Sequence, residues 1–143
     1  GQLPGIQEDM APADTVPMEV HGSQMVLVID DEEPIREGLR LLLEEWGYHV
    51  VTAADAAQAE HAATALEGRV DLVLSDLHLG DGPDGLEAIA EVRRLCGRDV
   101  PAVLVTGDTA QAEIQRVTAC GYPVLFKPVQ PRRLFEALRN ALA

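Results

Sequence analysis

Aromatic residues are scarce in this chain: one Trp, two Tyr and two Phe, 3% of 143 residues. A core built with so few rings must be aliphatic, and an apolar content of 47% supplies it. At this length a single domain buries such a core without covalent staples. Cysteine is nearly absent too. Cys96 and Cys120 stand far apart and outside any Cys-x-x-Cys spacing, which speaks for two reduced thiols over a disulfide or a zinc site. No apolar run approaches the ~18 residues of a membrane span. No charged leader followed by an apolar segment marks a signal peptide, so a cytoplasmic location is expected. Basic residues are in deficit, 11 against 24 acids, for a net charge of −13. Such a balance repels phosphate backbones and anionic lipid, so neither nucleic acid nor membrane is expected as a direct partner. It suits a divalent cation or a basic partner face.

Residues 1–24 carry Pro4, Pro12 and Pro17, scattered acids, and no lasting period of 2 or 3.6. They are expected to be a disordered linker or tail, with residues 25–143 forming the folded domain. The start at Gly1 rather than Met suggests a processed fragment of a larger parent.

From Met25 the character changes. Met25 to Ile29 is an unbroken apolar run ending in Asp30-Asp31-Glu32-Glu33, and Pro34 fits the first turn of a helix. Ile35, Leu39, Leu42, Leu43 and Trp46 recur at helical spacing up to Gly47. His49 to Ala53 reads as a second strand, followed by an Ala-rich helix capped by Asp55 and stopped by Gly68. Val70 to Asp76 is a third, dry strand that ends on a carboxylate. Asp84 opens a helix with Leu86, Ile89, Ala90 and Val92 to Leu95 inward. Pro101 to Thr106 is a fourth strand, the segment from Ala110 to Ala119 a weak helix, Pro123 to Phe126 a fifth strand, and Pro131 starts a last helix.

Strand and helix thus alternate five times. Right-handed crossovers turn that pattern into a parallel sheet covered on both faces, and the short, unalternating strands agree. The expected fold is α/β, a flavodoxin-like doubly wound (βα)5 with strand order 2-1-3-4-5.

In such a sheet all strand C-termini share one edge. That edge collects Asp30 and Asp31 after the first strand, Asp76 after the third, Thr106 after the fourth and Lys127 after the fifth. Clustered carboxylates repel one another and raise their own pKa values unless a cation sits among them. Hard oxygen ligands with room for water match Mg2+. A neutralised aspartate can attack phosphorus and form an acyl phosphate, while a hydroxyl and an ammonium bind phosphoryl oxygens.

The segments Val28-Ile29-Asp30-Asp31-Glu32, Leu74-Ser75-Asp76, Val105-Thr106-Gly107 and Phe126-Lys127-Pro128 resemble the receiver domain of two-component response regulators. The resemblance implies Asp76 as the phosphoacceptor, and Asp31 as a direct ligand of Mg2+ with Asp30 acting through water. It also implies the backbone carbonyl of His78 as a metal ligand, Thr106 as the switch hydroxyl, and Lys127 as the phosphate partner, with a cis Lys127-Pro128 peptide. The donor implied is a phosphohistidine on a histidine kinase or phosphotransfer domain. The domain is then a phosphoacceptor switch of the surface near the fourth helix and fifth strand, not a turnover enzyme. Where many receivers carry an aromatic, this chain has Val124, with Tyr122 and Phe126 nearby, and a valine cannot swing inward as a ring does. The final segment is similar to receivers at the C-terminus of hybrid sensor histidine kinases. A stand-alone response regulator is the alternative, and homodimer formation is left open.

Blander readings compete at each position. Turn acids and helix caps explain one or two carboxylates, but not their placement at two tips of one edge. Asp108 or Thr109 could cap the fourth helix as well as Thr106. His78, two residues past Asp76, either screens an acyl phosphate or is an ordinary loop histidine. Trp46 fits the core edge, and Gly80, Gly82 and Gly85 read as turn glycines. An aspartyl-nucleophile phosphatase would want a D-x-D pair and a cap insertion, and a flavin module would want a hydroxyl-rich phosphate loop. Neither occurs.

Overall fold

A computed structural model describes residues 24–107 and 111–143. Five strands, β1 (Met25–Ile29), β2 (His49–Ala53), β3 (Leu72–Asp76), β4 (Ala102–Thr106) and β5 (Val124–Phe126), alternate with five helices. The helices are α1 (Glu33–Glu45), α2 (Ala56–Ala65), α3 (Gly85–Cys96), α4 (Gln111–Cys120) and α5 (Pro131–Leu142). All strand pairings are parallel, in the order β2-β1-β3-β4-β5, so the expected (βα)5 topology holds. The expected tail over 1–24 and the caps Asp108 and Thr109 fall, save for Gln24, outside the described residues.

Successive side chains of a strand point to opposite faces, and here both faces are apolar. Leu27, Ile29, Val73 and Leu104 join Ala59, Ala63, Ile89 and Val92 on one side. Val26, Val28, Leu72, Leu74, Val103 and Val105 join Leu43, Trp46, Leu134 and Leu138 on the other. Each fully buried aliphatic side chain contributes roughly 1.5–3 kcal/mol of transfer free energy. Three of the five rings, Trp46, Tyr48 and Phe135, are buried in the second layer, where Trp46 meets Phe135 edge-on at 5.0 Å between centroids. Trp46 is thus core.

The helix starts follow the expected chemistry in part. Asp55 accepts from the Gln58 amide at 2.8 Å, and Asp84 and Glu87 form a reciprocal capping box. Neither α1 nor α5 has a side-chain cap bond; each carries a proline in its first turn instead. Gly97 ends α3 in the left-handed conformation at φ 71°.

Three expectations need correction. The third strand begins at Leu72 rather than Val70, because the Asp71 carboxylate turns back to accept the Met25 amide at 2.7 Å. In α3 the inward stripe is Gly85, Ala88, Ile89 and Val92, so Ala88 and not Ala90 faces the sheet. Gly85 is not a turn residue but the first residue of α3, and it is buried.

Candidate functional site

The parallel sheet delivers the strand tips to one edge, and register aligns them. Ile29 pairs with Ser75, so Asp30 leaves β1 beside Asp76. Asp76 pairs with Val105, and Thr106 with Phe126, which places Lys127 one residue beyond Thr106. The Lys127 amide also donates to the Thr106 carbonyl at 2.9 Å, closing that side of the edge.

Lys127 sits at the centre of the charges. Its Nζ donates to Asp76 Oδ2 at 3.0 Å and lies 3.5 Å from Asp30 Oδ2 and 3.9 Å from Glu32 Oε1. Oxygens of Asp30, Asp31 and Asp76 all lie within 4.8 Å of one another. Asp30 and Asp76 are buried, Asp31 is exposed, and Thr106 is buried at the end of β4. Three carboxylates, those of Asp30, Glu32 and Asp76, thus lie within 3.9 Å of one ammonium, with Asp31 beside them. Asp76 Oδ1 is held only loosely, by the His78 amide at 3.4 Å, while the His78 ring is exposed.

The electrostatics follow from that imbalance. Burial pushes the Asp30 carboxyl above its usual value, and the charge of Asp76 adds to the rise; the Glu32 amide and Lys127 offset them only in part. Burial draws the Lys127 ammonium down, but its bond to Asp76 and the charges of Asp76, Asp30 and Glu32 carry it above the usual lysine value. An octahedral Mg2+ shell spans about 4 Å between opposite oxygens. The acid cluster is close to that span, carries excess negative charge and opens to solvent through Asp31, so it fits a hydrated divalent cation.

The expected residues therefore come together: Asp30, Asp31, Asp76 and Lys127 in mutual reach, with Thr106 and His78 on the flanking tips. The Lys127-Pro128 peptide is cis, as the resemblance implied. Val124 is half-buried, Tyr122 is covered by the Arg93 guanidinium at 5.0 Å, and Phe126 is 44% exposed.

Two supports escaped the sequence. A Cβ on Gly85 would overlap the Asp76 carbonyl oxygen and stand 3.0 Å from Ser75 Oγ, while Ser75 Oγ donates to that same carbonyl at 2.8 Å. Glycine is required there by the close approach of α3 to the tip of β3. Arg36 donates from Nη1 to the Asp30 carbonyl at 2.7 Å. Neither has a local signature, since each depends on which segments the fold brings into contact.

Comparison with known proteins gives the family. Residues 26–139 match the response regulator receiver domain family. The chain belongs to that family. The receiver is 40% identical over 123 residues to the transcriptional regulatory protein AruR of Pseudomonas aeruginosa, covering 82% of this chain and 48% of that one. It is 36% identical over 120 residues to the positive alginate biosynthesis regulatory protein of the same organism, covering 81% of this chain and 46% of the relative. The chain thus spans about half the length of these curated relatives. Among solved structures, the Vibrio cholerae chemotaxis protein CheY4 superposes with a TM-score of 0.72 at 30% identity, over 85% of this chain and all of CheY4. The receiver of the hybrid histidine kinase CckA gives 0.69 at 28% identity, over 83% of this chain and 99% of that one. Receiver domains act with histidine kinases or phosphotransfer partners, and as a class they bind Mg2+. Among the described residues, no helix of this receiver is long and apolar enough to cross a membrane.

Proposed function

We propose that Asp76 accepts a phosphoryl group from a phosphohistidine on a histidine kinase or phosphotransfer domain. The observation that carries this reading is the buried Asp76 carboxylate, paired at 3.0 Å with Lys127 within a cluster of acids at the sheet edge. An Asp76 oxygen bonds to phosphorus, the P–N bond breaks, and the departing imidazole keeps the electron pair and takes up a proton. Oδ1 suits the attack, since Lys127 occupies Oδ2 while the His78 amide reaches Oδ1 only at 3.4 Å.

Asp30, Asp31, Asp76 and the main chain at His78 are the residues proposed to hold Mg2+. When bound, the ion supplies neutralisation of charge on the transferring group. Lys127 then exchanges Asp76 Oδ2 for a phosphoryl oxygen, and the Thr106 hydroxyl donates to another. That exchange pulls on β4 and β5 together, because the Lys127 amide is bonded to the Thr106 carbonyl. With Val124 at the position of the switching ring, the surface that changes is the α4–β5 face as a whole.

For the parent protein we infer a response regulator rather than the hybrid sensor kinase expected from the sequence. The names of the curated relatives, a transcriptional regulatory protein and a positive regulatory protein of alginate biosynthesis, support this. A coding sequence with a kinase core ahead of Gly1 would restore the kinase reading. For the domain itself, the test is labelling by a small acyl phosphate in the presence of Mg2+. Stoichiometric incorporation that disappears in Asp76→Asn is expected; equal labelling of that variant would contradict the assignment.

A further inference from the structure

Arg36, in the first turn of α1, takes no part in the chemistry proposed above, yet it joins the helix to the acid cluster at two points. Its amide donates to the Glu32 carbonyl at 2.9 Å, the first bond of the helix. Its Nη1 reaches back to the Asp30 carbonyl at 2.7 Å. Asp30 is fixed on its other sides as well. Its amide donates to the Ala53 carbonyl at 3.1 Å, and its Oδ1 accepts the Glu32 amide at 2.9 Å. The carboxyl of Asp30 answers to burial, the Glu32 amide, Lys127 and Asp76. The guanidinium addresses the main-chain oxygen instead, so its effect is on direction more than on charge.

We propose that Arg36 is a positioning residue for the acid cluster. By holding the Asp30 carbonyl, it sets the angle at which the chain leaves β1 and so aims Asp30 and Asp31 at Asp76. This rests on the reading of that cluster as a Mg2+ and phosphoryl site. The site tolerates little error there, because Asp31 is exposed, and outer partners of metal ligands typically govern affinity by 10–100-fold. A lysine retains a donor but not the flat fork, so it should substitute only in part.

The test is a calorimetric titration of the full chain with Mg2+ alone, comparing wild type with Arg36→Gln and Arg36→Lys. Amide exchange at Glu32, whose N–H is held by Asp30 Oδ1, is followed in the metal-free proteins. Arg36→Gln should weaken Mg2+ binding roughly tenfold and speed exchange at that amide, with Arg36→Lys between. At saturating Mg2+, labelling of Arg36→Gln should return close to the wild-type rate. If Arg36→Gln folds poorly, Arg36→Met, which keeps the stem and loses the donors, repeats the measurement. A variant that melts earlier but binds Mg2+ like wild type, with unchanged exchange, overturns the proposal and leaves Arg36 a helix-start residue. If wild type itself neither binds Mg2+ nor is labelled, the reading of the whole site falls, and the role of Arg36 with it.

Discussion

The two sides of the edge site are built differently. On the β1–β3 side, the strands run five residues each, with four of five buried in β1 and all five in β3. They hold Asp30 and Asp76 in a dry wall backed by α3, whose stripe of Gly85, Ala88, Ile89 and Val92 is fully buried. On the β5 side, the strand is three residues long with none buried, Phe126 is 44% exposed, and among the described residues of α4 only Val117 is buried. Few buried apolar contacts mean low local stability. The acids therefore sit on the stiff half, while Thr106 and Lys127 connect them to the half that can shift at least cost. A switch needs that division: a fixed acceptor and a movable surround.

The largest expected effect breaks the chemical part of the contrast. Asp76→Asn should abolish labelling by an acyl phosphate while the circular dichroism spectrum stays native, because the amide keeps the shape and loses the nucleophile. Lys127→Ala should retain some labelling but slow it about 100-fold, as removal of one preorganised charge does, measured by mass spectrometry over time.

The packing part of the contrast gives the next effects. Ile89→Ala on the stiff side should cost about 2–5 kcal/mol in denaturant unfolding, whereas Ile114→Ala on half-buried α4 should cost about 1 kcal/mol or less. Equal costs would remove the distinction between the halves. Gly85→Ala should cost about 1–3 kcal/mol through overpacking against the Asp76 carbonyl, and should slow labelling at Asp76 as well.

A smaller effect concerns pH. The carboxyl of Asp30 has a folded pKa above its ordinary 3.8, so through that window the folded state binds more protons than the unfolded one. Stability of the metal-free protein must therefore fall as pH rises from 3.8 through the folded value, and stay lowered above it. Asp30→Asn should raise the metal-free Tm at neutral pH by roughly a few degrees, and the stabilisation of the protein by Mg2+ should shrink. A metal-free variant that melts below wild type would contradict the origin assigned to the shift.

Much of this was legible in the sequence because its signals are local. The dry runs at Met25, Val73 and Val103, each closed by a polar residue, announce strand tips, and tips of parallel strands share an edge. Asp30, Asp31, Asp76 and Thr106 could be placed by that rule alone, and Lys127 by the shorter run that ends at Phe126. Alanine defeats the same reasoning in α3: Ala88 and Ala90 are equally apolar in the sequence, and only the packed stripe chooses between them. Gly85 and Arg36 were illegible for another reason. A missing Cβ or a reaching guanidinium has meaning only against the tertiary neighbour it meets, here the main chain at Asp76 and at Asp30.

The central claim is that one carboxylate at the tip of β3 takes up phosphorus with the help of the charges around it. Peptide mapping of the full chain after acyl phosphate and Mg2+ treatment tests it most directly. One phosphoryl group on the peptide containing Asp76, absent when Mg2+ is chelated, is the result predicted. Phosphorus on any other residue, or uptake indifferent to Mg2+, would contradict it.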